Sequence, residues 1–225
     1  MTRTVDVDFA EATLTLLPER AIWWEAERSL LLADVHLGKD QVFRRHGIAI
    51  PDGPTERDLR RIDGLLAQRQ VDRLIVLGDL VHAGPRADDR WTHTVATWRQ
   101  GHPDLAVDVV LGNHDRGTAR WLERWDMGAY EALRLGKLDL VHEREDAVGP
   151  CLCGHVHPVT KLRDGGHTAL RLPVFHFTPD IGTLPAFGAF TGGHVVRPGR
   201  KDRTFVIAGE HVVQLGIAGS TSDSD

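Results

Sequence analysis

Short runs of apolar residues recur along the chain, separated by loops rich in glycine and polar residues. Two runs, from Ala21 to Trp24 and from Leu30 to Ala33, flank the polar segment from Glu25 to Arg28. This arrangement predicts a β-hairpin near the start of the fold. Four later runs have the length of buried strands; they extend from Arg73 to Leu77, Ala106 to Leu111, Leu138 to Val141 and Cys151 to Cys153.

Between these runs lie segments in which apolar residues recur at helical spacing. A helix predicted from Pro54 to about Gln70 has its apolar residues on one face: Leu59, Ile62, Leu65 and Leu66. Two further helices are predicted at about 85–100 and 119–124. A short basic helix is predicted at 39–46, with Gly47 as its C-terminal cap.

Beyond Pro158 the pattern predicts strands alone. A turn at 164–166 comes before a strand at 172–177, and strands at 194–197, 204–208 and 211–215 form a terminal hairpin. Strand–helix pairs followed by strands predict a mixed α/β sandwich, in which two sheets face each other and helices cover the outside. We expect one domain over residues 1–216 and a disordered Ser/Asp-rich tail over 217–225.

Charge and cysteine content narrow the class of protein. The formal net charge of −5 gives no overall attraction to nucleic acid, so a phosphate-bearing substrate would be bound by local cations. We expect Cys151 and Cys153 to point to opposite faces of a strand and to stay unpaired, as in a reducing compartment. The sequence shows neither a signal peptide nor an apolar span long enough for a bilayer. We therefore expect a cytoplasmic protein without a membrane contact.

Five apolar runs end in residues that can bind metal ions. The carboxyl ends of strands in α/β sheets are where ligand sites form, and five such ends of one polarity predict a common site. Oxygen and imidazole ligands suit Mn, Fe or Zn, whereas the two cysteines lack the paired spacing of a structural zinc site. In chain order the five motifs are Asp34-x-His36, Gly78-Asp79-x-x-His82, Gly112-Asn113-His114-Asp115, His142 and Gly154-His155-x-His157.

This ordered set resembles the calcineurin-like metallophosphoesterases. The resemblance implies a four-layer α-β-β-α sandwich and two divalent metal ions, Mn²⁺ first, with Fe, Zn or Ni as alternatives. Asp34, His36 and His157 would hold one ion. Asn113, His142 and His155 would hold the other, and Asp79 would bridge them.

The same resemblance implies phosphodiester hydrolysis by a hydroxide that the two ions share. His114 would stabilise or protonate the leaving oxygen, and Asp115 would orient its ring. His82 stands where many relatives carry Asp or Asn. We expect it to lie next to the metal ligands without binding metal itself. Isolated histidines such as His93 are expected to be structural.

Three further stretches, at 21–32, 38–51 and 184–193, resemble the bacterial ligase-associated DNA-damage-response branch, which implies DNA as substrate and a DNA ligase or helicase as partner. The predicted basic helix would then bind flanking phosphates through Lys39, Arg44, Arg45 and His46. Two alternatives stay open. One is a small-molecule phosphatase or cyclic-nucleotide phosphodiesterase, and the other is a non-catalytic scaffold that binds a protein.

Overall fold

The computed structural model describes residues 4–45, 47, 53–86, 88–163, 169–188 and 192–216. Its first sheet has seven strands in chain order: β1 (Val5–Phe9), β2 (Ala12–Leu17), β3 (Ala21–Trp24), β4 (Ser29–Leu32), β5 (Arg73–Leu77), β6 (Ala106–Val110) and β7 (Gly128–Tyr130). Neighbours are antiparallel from β1 to β4 and parallel from β4 to β7. The carboxyl ends of β4, β5 and β6 therefore meet at one edge.

The second sheet has nine strands and a crossed order. Its strands are β8 (Leu133–Leu135), β9 (Leu138–Leu140), β10 (Cys151–Cys153), β11 (Pro158–Arg163), β12 (Ala169–Phe177), β13 (Ile181–Thr183), β14 (His194–Val195), β15 (Arg203–Ala208) and β16 (His211–Gln214). The order is β14-β11-β12-β13-β10-β9-β8, and the β15–β16 hairpin joins at β12. Because β9 and β10 are parallel, their carboxyl ends also lie side by side.

A continuous apolar core holds the two sheets face to face. Leu31, Ile75 and Val110 from the first sheet belong to the same buried cluster as Leu152 and Phe175 from the second. Their burial follows from the alternation of side chains along each strand, which turns one face of each sheet inward. The site described below lies at the edge of this core.

Four α-helices accompany the first sheet: α1 (Lys39–Arg45), α2 (Pro54–Leu66), α3 (Arg90–Gln100) and α4 (Ala119–Arg124). Leu59, Val95 and Leu122 pack in one cluster with Val76 and Val109, on the face of the first sheet opposite the inter-sheet core. The predicted mixed α/β sandwich with flanking helices is confirmed. Within the described part of the chain, the α-helices all precede β8.

Several predicted boundaries differ from the structure. The hairpin of β1 and β2 was not predicted, although its residues alternate between buried and exposed. The predicted terminal hairpin is correct for β15 and β16, but β14 pairs in parallel with β11. The helices predicted at 54–70 and 85–100 are shorter, at Pro54–Leu66 and Arg90–Gln100. The turn at 164–166 and the tail at 217–225 lie outside the described residues.

The prediction that Cys151 and Cys153 point to opposite faces is wrong. Residues two apart on a strand share a face. Both thiols lie in a small cluster with Val141, whereas the intervening Leu152 faces the inter-sheet core. Both cysteines are free, as the sequence predicts, and both are buried.

No helix among the described residues combines the length and apolar character that a bilayer span requires.

Gly78, directly after β5, shows how closely the strand ends of the two sheets approach. Its φ of +78° is left-handed, and an added Cβ would lie 1.9 Å from Nδ1 of His142, which follows β9. Gly154 after β10 also lies close to the first sheet, because an added Cβ would meet the Leu77 carbonyl oxygen at 2.7 Å. These two positions need glycine for space.

We predict that Gly78→Ala destabilises the protein much more than Gly209→Ala. Gly209 also has a positive φ, of +60°, but open space around its Cβ position. The control should lose about 1 kcal/mol of unfolding free energy from backbone strain alone. Gly78→Ala should lose a further ~1–3 kcal/mol from overpacking. Urea unfolding in metal-free buffer measures both, and equal losses would contradict the close approach.

Candidate metal centre

The buried carboxylate of Asp79 lies between two groups of potential metal ligands. Its Oδ2 is 3.8 Å from Nε2 of His36, and its Oδ1 is 3.7 Å from Nε2 of His142. Its Oδ1 also accepts a hydrogen bond of 2.9 Å from the backbone N–H of His114. Each carboxylate oxygen thus faces a different imidazole.

The first group joins the loop after β4 to the loop after β10. Nε2 of His36 and Nε2 of His157 are 3.4 Å apart, and Nε2 of His157 is 3.2 Å from Oδ1 of Asp34. The Asp34 carboxylate, which is fully buried, also accepts the backbone N–H of His155. Asp34, His36 and His157, which the family resemblance assigns to one ion, are therefore brought together.

The second group joins the loop after β6 to those after β9 and β10. Nε2 of His142 is 3.1 Å from Oδ1 of Asn113 and 3.2 Å from Nδ1 of His155. Asn113, His142 and His155 are likewise together. Glu143 adds a carboxylate oxygen 3.8 Å from Nδ1 of His155. The sequence did not reveal that Glu143 belongs to this group of potential ligands.

The spacing within both groups fits a shared cation. Two nitrogen ligands about 2.1 Å from one ion, at octahedral to tetrahedral angles, lie about 3.0–3.4 Å apart. The His36–His157 and His142–His155 pairs have this separation. Facing imidazole nitrogens repel each other unless a proton or a cation lies between them, so the ligand atoms suit a bound divalent metal.

Two backbone carbonyls orient the ligand rings. Nδ1 of His142 lies 3.1 Å from the Leu77 carbonyl oxygen, and Nδ1 of His157 lies 3.1 Å from that of Gly192. In the tautomers that donate from Nδ1, Nε2 is left free to bind metal. This arrangement fixes the rings before any ion arrives.

Backbone strain is concentrated on the ligands. Asp34, His36, Asp79, His155 and His157 all have φ between +50° and +66°, in the left-handed region that non-glycine residues avoid. Such conformations cost on the order of 1 kcal/mol each and persist where neighbours enforce them. Here the strand-end loops are paired, because the N–H of Asp34 donates to the Gly78 carbonyl and that of His36 to the Asp79 carbonyl.

His114 lies next to both groups without belonging to either. Its Nδ1 is 2.7 Å from the backbone carbonyl oxygen of His82, and its ring stacks on the His82 ring at 5.0 Å between centroids. The His82 ring stacks in turn on Phe43 of α1. This stack holds the ring of His114 beside His36.

The prediction that Asp115 orients the His114 ring is wrong. The buried Asp115 carboxylate instead accepts the backbone N–H groups of Leu80, Val81 and Gly112. It thereby joins the loops after β5 and β6. Burial raises the pKa of Asp115 to about 6, against the opposing effect of these hydrogen bonds.

The basic residues of α1 have different surroundings. Lys39 lies near enough to the centre for its charge to lower the pKa of His36 and of His82. Arg45 forms an ion pair with the buried Asp89, and Nη2 of Arg44 lies 3.7 Å from Asp40. His46 lies outside the described residues. Among the described members of this predicted phosphate-binding set, Lys39 is the one whose charge acts on histidines of the centre.

The two histidines that face each other differ in proton affinity. Burial, with Lys39 next, lowers the pKa of His36 to about 2, which keeps its ring neutral. Burial also lowers the pKa of His157. The hydrogen bond and charge of Asp34, with the Gly192 carbonyl, outweigh that effect and raise its pKa above 6.5. The raised pKa of His157 favours a proton at the position where a cation would lie.

We predict that metal affinity falls as the pH drops through the raised pKa of His157, because protonated imidazole cannot bind metal. Ring NMR of chelator-treated protein should show His157 titrating above pH 6.5 and His36 neutral down to pH 5. Asp34→Asn should lower the pKa of His157. Titration of His157 below 6.5 in the unmodified protein would contradict this assignment.

Comparison with known proteins agrees with this geometry. The family model described as calcineurin-like phosphoesterase matches residues 28–176, about two thirds of the chain. The crystal structure of Pseudomonas putida nuclease MPE is similar, with 37% sequence identity and a TM-score of 0.82, covering 95% of this chain and 100% of that one. Yfce, a phosphoesterase from E. coli, has 16% identity and a TM-score of 0.42, over 80% of this chain and 88% of that one.

The comparison with curated proteins found no match to this sequence. The family model nonetheless extends over the five motifs from Asp34 to His157, which include the potential ligands around Asp79. The chain therefore belongs to the calcineurin-like phosphoesterases, which are metal-dependent hydrolases of phosphate esters.

Proposed function

We propose that the protein is a phosphodiesterase with two metal ions and that its substrate is DNA. The observation that supports two ions is the place of Asp79, whose two carboxylate oxygens face two separate ligand groups. Asp34, His36 and His157 would hold one ion, and Asn113, His142 and His155 the other. Oxygen and imidazole ligands favour Mn²⁺, with Fe, Zn or Ni as alternatives.

Two bound cations would supply an activated water and neutralise charge on the phosphoryl oxygens. The residues of the chain supply the rest. The rings of His142 and His157 are fixed by carbonyl contacts. Lys39 adds a positive charge beside Asp79 and His36, which favours a phosphate at the open side of the centre.

His114 is the group that we assign to the leaving oxygen. Its Nδ1–H donates to the His82 carbonyl, so Nε2 is the nitrogen that would carry the second proton of the imidazolium form and pass it to the leaving oxygen. Stacking between His82 and Phe43 keeps this ring in place. Asp115 contributes by fixing the loop, because its carboxylate holds Gly112 and Val81.

A polymeric substrate is supported by the similarity to a protein named a nuclease, with which this chain shares 37% identity over nearly its whole length. The ligands are also accessible, since Asn113 and His155 are exposed at the surface. A small-molecule phosphatase would use the same metal ligands and is the alternative that the experiment must exclude. A DNA ligase or helicase partner, a repair context and a cytoplasmic location stay predictions.

Substrate comparison tests the proposal. We expect hydrolysis of a bis-aryl phosphodiester and of a single-stranded DNA oligonucleotide with Mn²⁺, and no hydrolysis with chelator. Asp79→Asn should abolish both activities. Turnover of an aryl phosphomonoester alone would reject the phosphodiesterase in favour of the phosphatase. Turnover of the diester without DNA cleavage would reject DNA as the substrate.

We predict that His114→Gln lowers diester turnover on the order of 10²-fold or more while the metal content stays at two ions per chain. The loss should be larger for an alkoxide leaving group than for an acidic phenol, because only the former needs the proton. His93→Gln, an exposed change on α3, is the control. A variant that binds fewer metal ions would show that His114 is a ligand.

A further inference from the structure

A basic groove begins at the metal centre and extends along the arm formed by β11 and β12. It has a volume of about 260 Å³ and includes the ligand His157 in its wall. Val159, Pro173 and Arg171 line it from the arm, and Arg20 lines it from the turn between β2 and β3. Whatever occupies this groove lies directly beside one of the two ligand groups.

The arm places two cations directly opposite each other. Lys161 on β11 pairs in register with Arg171 on β12, as Val159 does with Pro173. Because residues two apart share a face, Lys161 points to the same side as the groove-lining Val159. Like charges in directly opposite positions destabilise a strand pair unless an anion lies between them. Neither Lys161 nor Arg171 forms an ion pair within the described part of the chain.

Arg20 supplies a third cation from the other wall. Its Nη1 donates to the backbone carbonyls of Ala186 and Gly188, which fixes the guanidinium. Burial, followed by the charge of Arg61, lowers the pKa of Arg20. A guanidinium held in such surroundings gains from a nearby anion, and its fork of N–H groups matches phosphate oxygens.

Charge on the other side of the centre has the opposite sign. The groove beside Asn113 and His142 is lined by Glu131, Glu143 and Asp146, with Arg116 as its only lysine or arginine among the described residues. A polyanion that reaches the metal ions is thus repelled on the Asn113 side and attracted on the His157 side. The asymmetry gives the substrate one preferred direction of approach.

We propose that the groove between Arg20 and the β11–β12 arm binds a backbone phosphate of the polynucleotide next to the one at the metal centre. This inference rests on the proposed function, because it names where the uncleaved part of the substrate lies. Arg171 and Lys161 contact the phosphate from the arm, and Arg20 contacts it from the turn between β2 and β3. A mononucleotide diester without a flanking phosphate makes no use of the groove.

The test removes the two arm charges and leaves Arg20 to hold its loop. Lys161→Gln with Arg171→Gln is compared with Arg120→Gln and Lys137→Gln, which remove one arginine and one lysine from exposed positions outside the groove. Binding of a labelled single-stranded oligonucleotide is measured in chelator, so that no cleavage is needed. Hydrolysis of a bis-aryl phosphodiester with Mn²⁺ is measured in parallel.

We expect the arm variant to bind the oligonucleotide more weakly, with a salt dependence of log K shallower by about 1.4, from two lost contacts at ~0.7 each. Its deficit relative to the unmodified protein should shrink about sevenfold between 50 and 200 mM salt. The control pair should bind normally, and all variants should hydrolyse the small diester equally.

Equal binding by the arm variant and the unmodified protein would overturn the groove assignment, and so would absence of oligonucleotide binding by the unmodified protein. A comparable loss in the control pair would overturn it as well, because the effect would then be one of net charge. Failure of the unmodified protein to hydrolyse the small diester would instead reject the proposed activity, whatever the binding result.

Discussion

The burial of the Asp79 carboxylate between two sets of imidazoles is the constraint on which the rest of the structure depends. A charged group in this position is costly unless cations or hydrogen-bond donors compensate it. The backbone N–H of His114 provides one such donor, and the surrounding ligand atoms provide places for cations. The strand-end loops adopt strained conformations at five ligands, and the paired backbone of the loops after β4 and β5 maintains that strain.

Much of the centre could be predicted from the sequence, because each ligand directly follows a strand. Parallel pairing of β4, β5 and β6 necessarily places Asp34, Asp79 and Asn113 at one edge. The apolar runs were clear because parallel strands are buried on both faces. The assignment of each residue to one of two ions came from the family resemblance and stays a prediction, whereas the structure shows that the residues of each group lie together.

Other features depended on contacts that no local pattern reveals. Asp115 lies one residue from His114, but its carboxylate turns away to three backbone N–H groups of two loops. Arg45 was predicted from the sequence to bind phosphate. Its ion pair with Asp89 forms only because α1 and the segment before α3 meet in the fold. The cross-strand register of Lys161 and Arg171 likewise required the strand pairing to be known. In each case the contact depends on how separate loops, helices or strands meet in the fold.

The composition of the ligand groups has a mechanical consequence. Each group combines residues that follow strands of both sheets: Asp34 and His36 with His157, and Asn113 with His142 and His155. A cation held by either group would therefore connect the two sheets at the edge of the apolar core. Loss of such an ion would then remove one connection between the sheets, and a shift of one sheet against the other would separate its ligands.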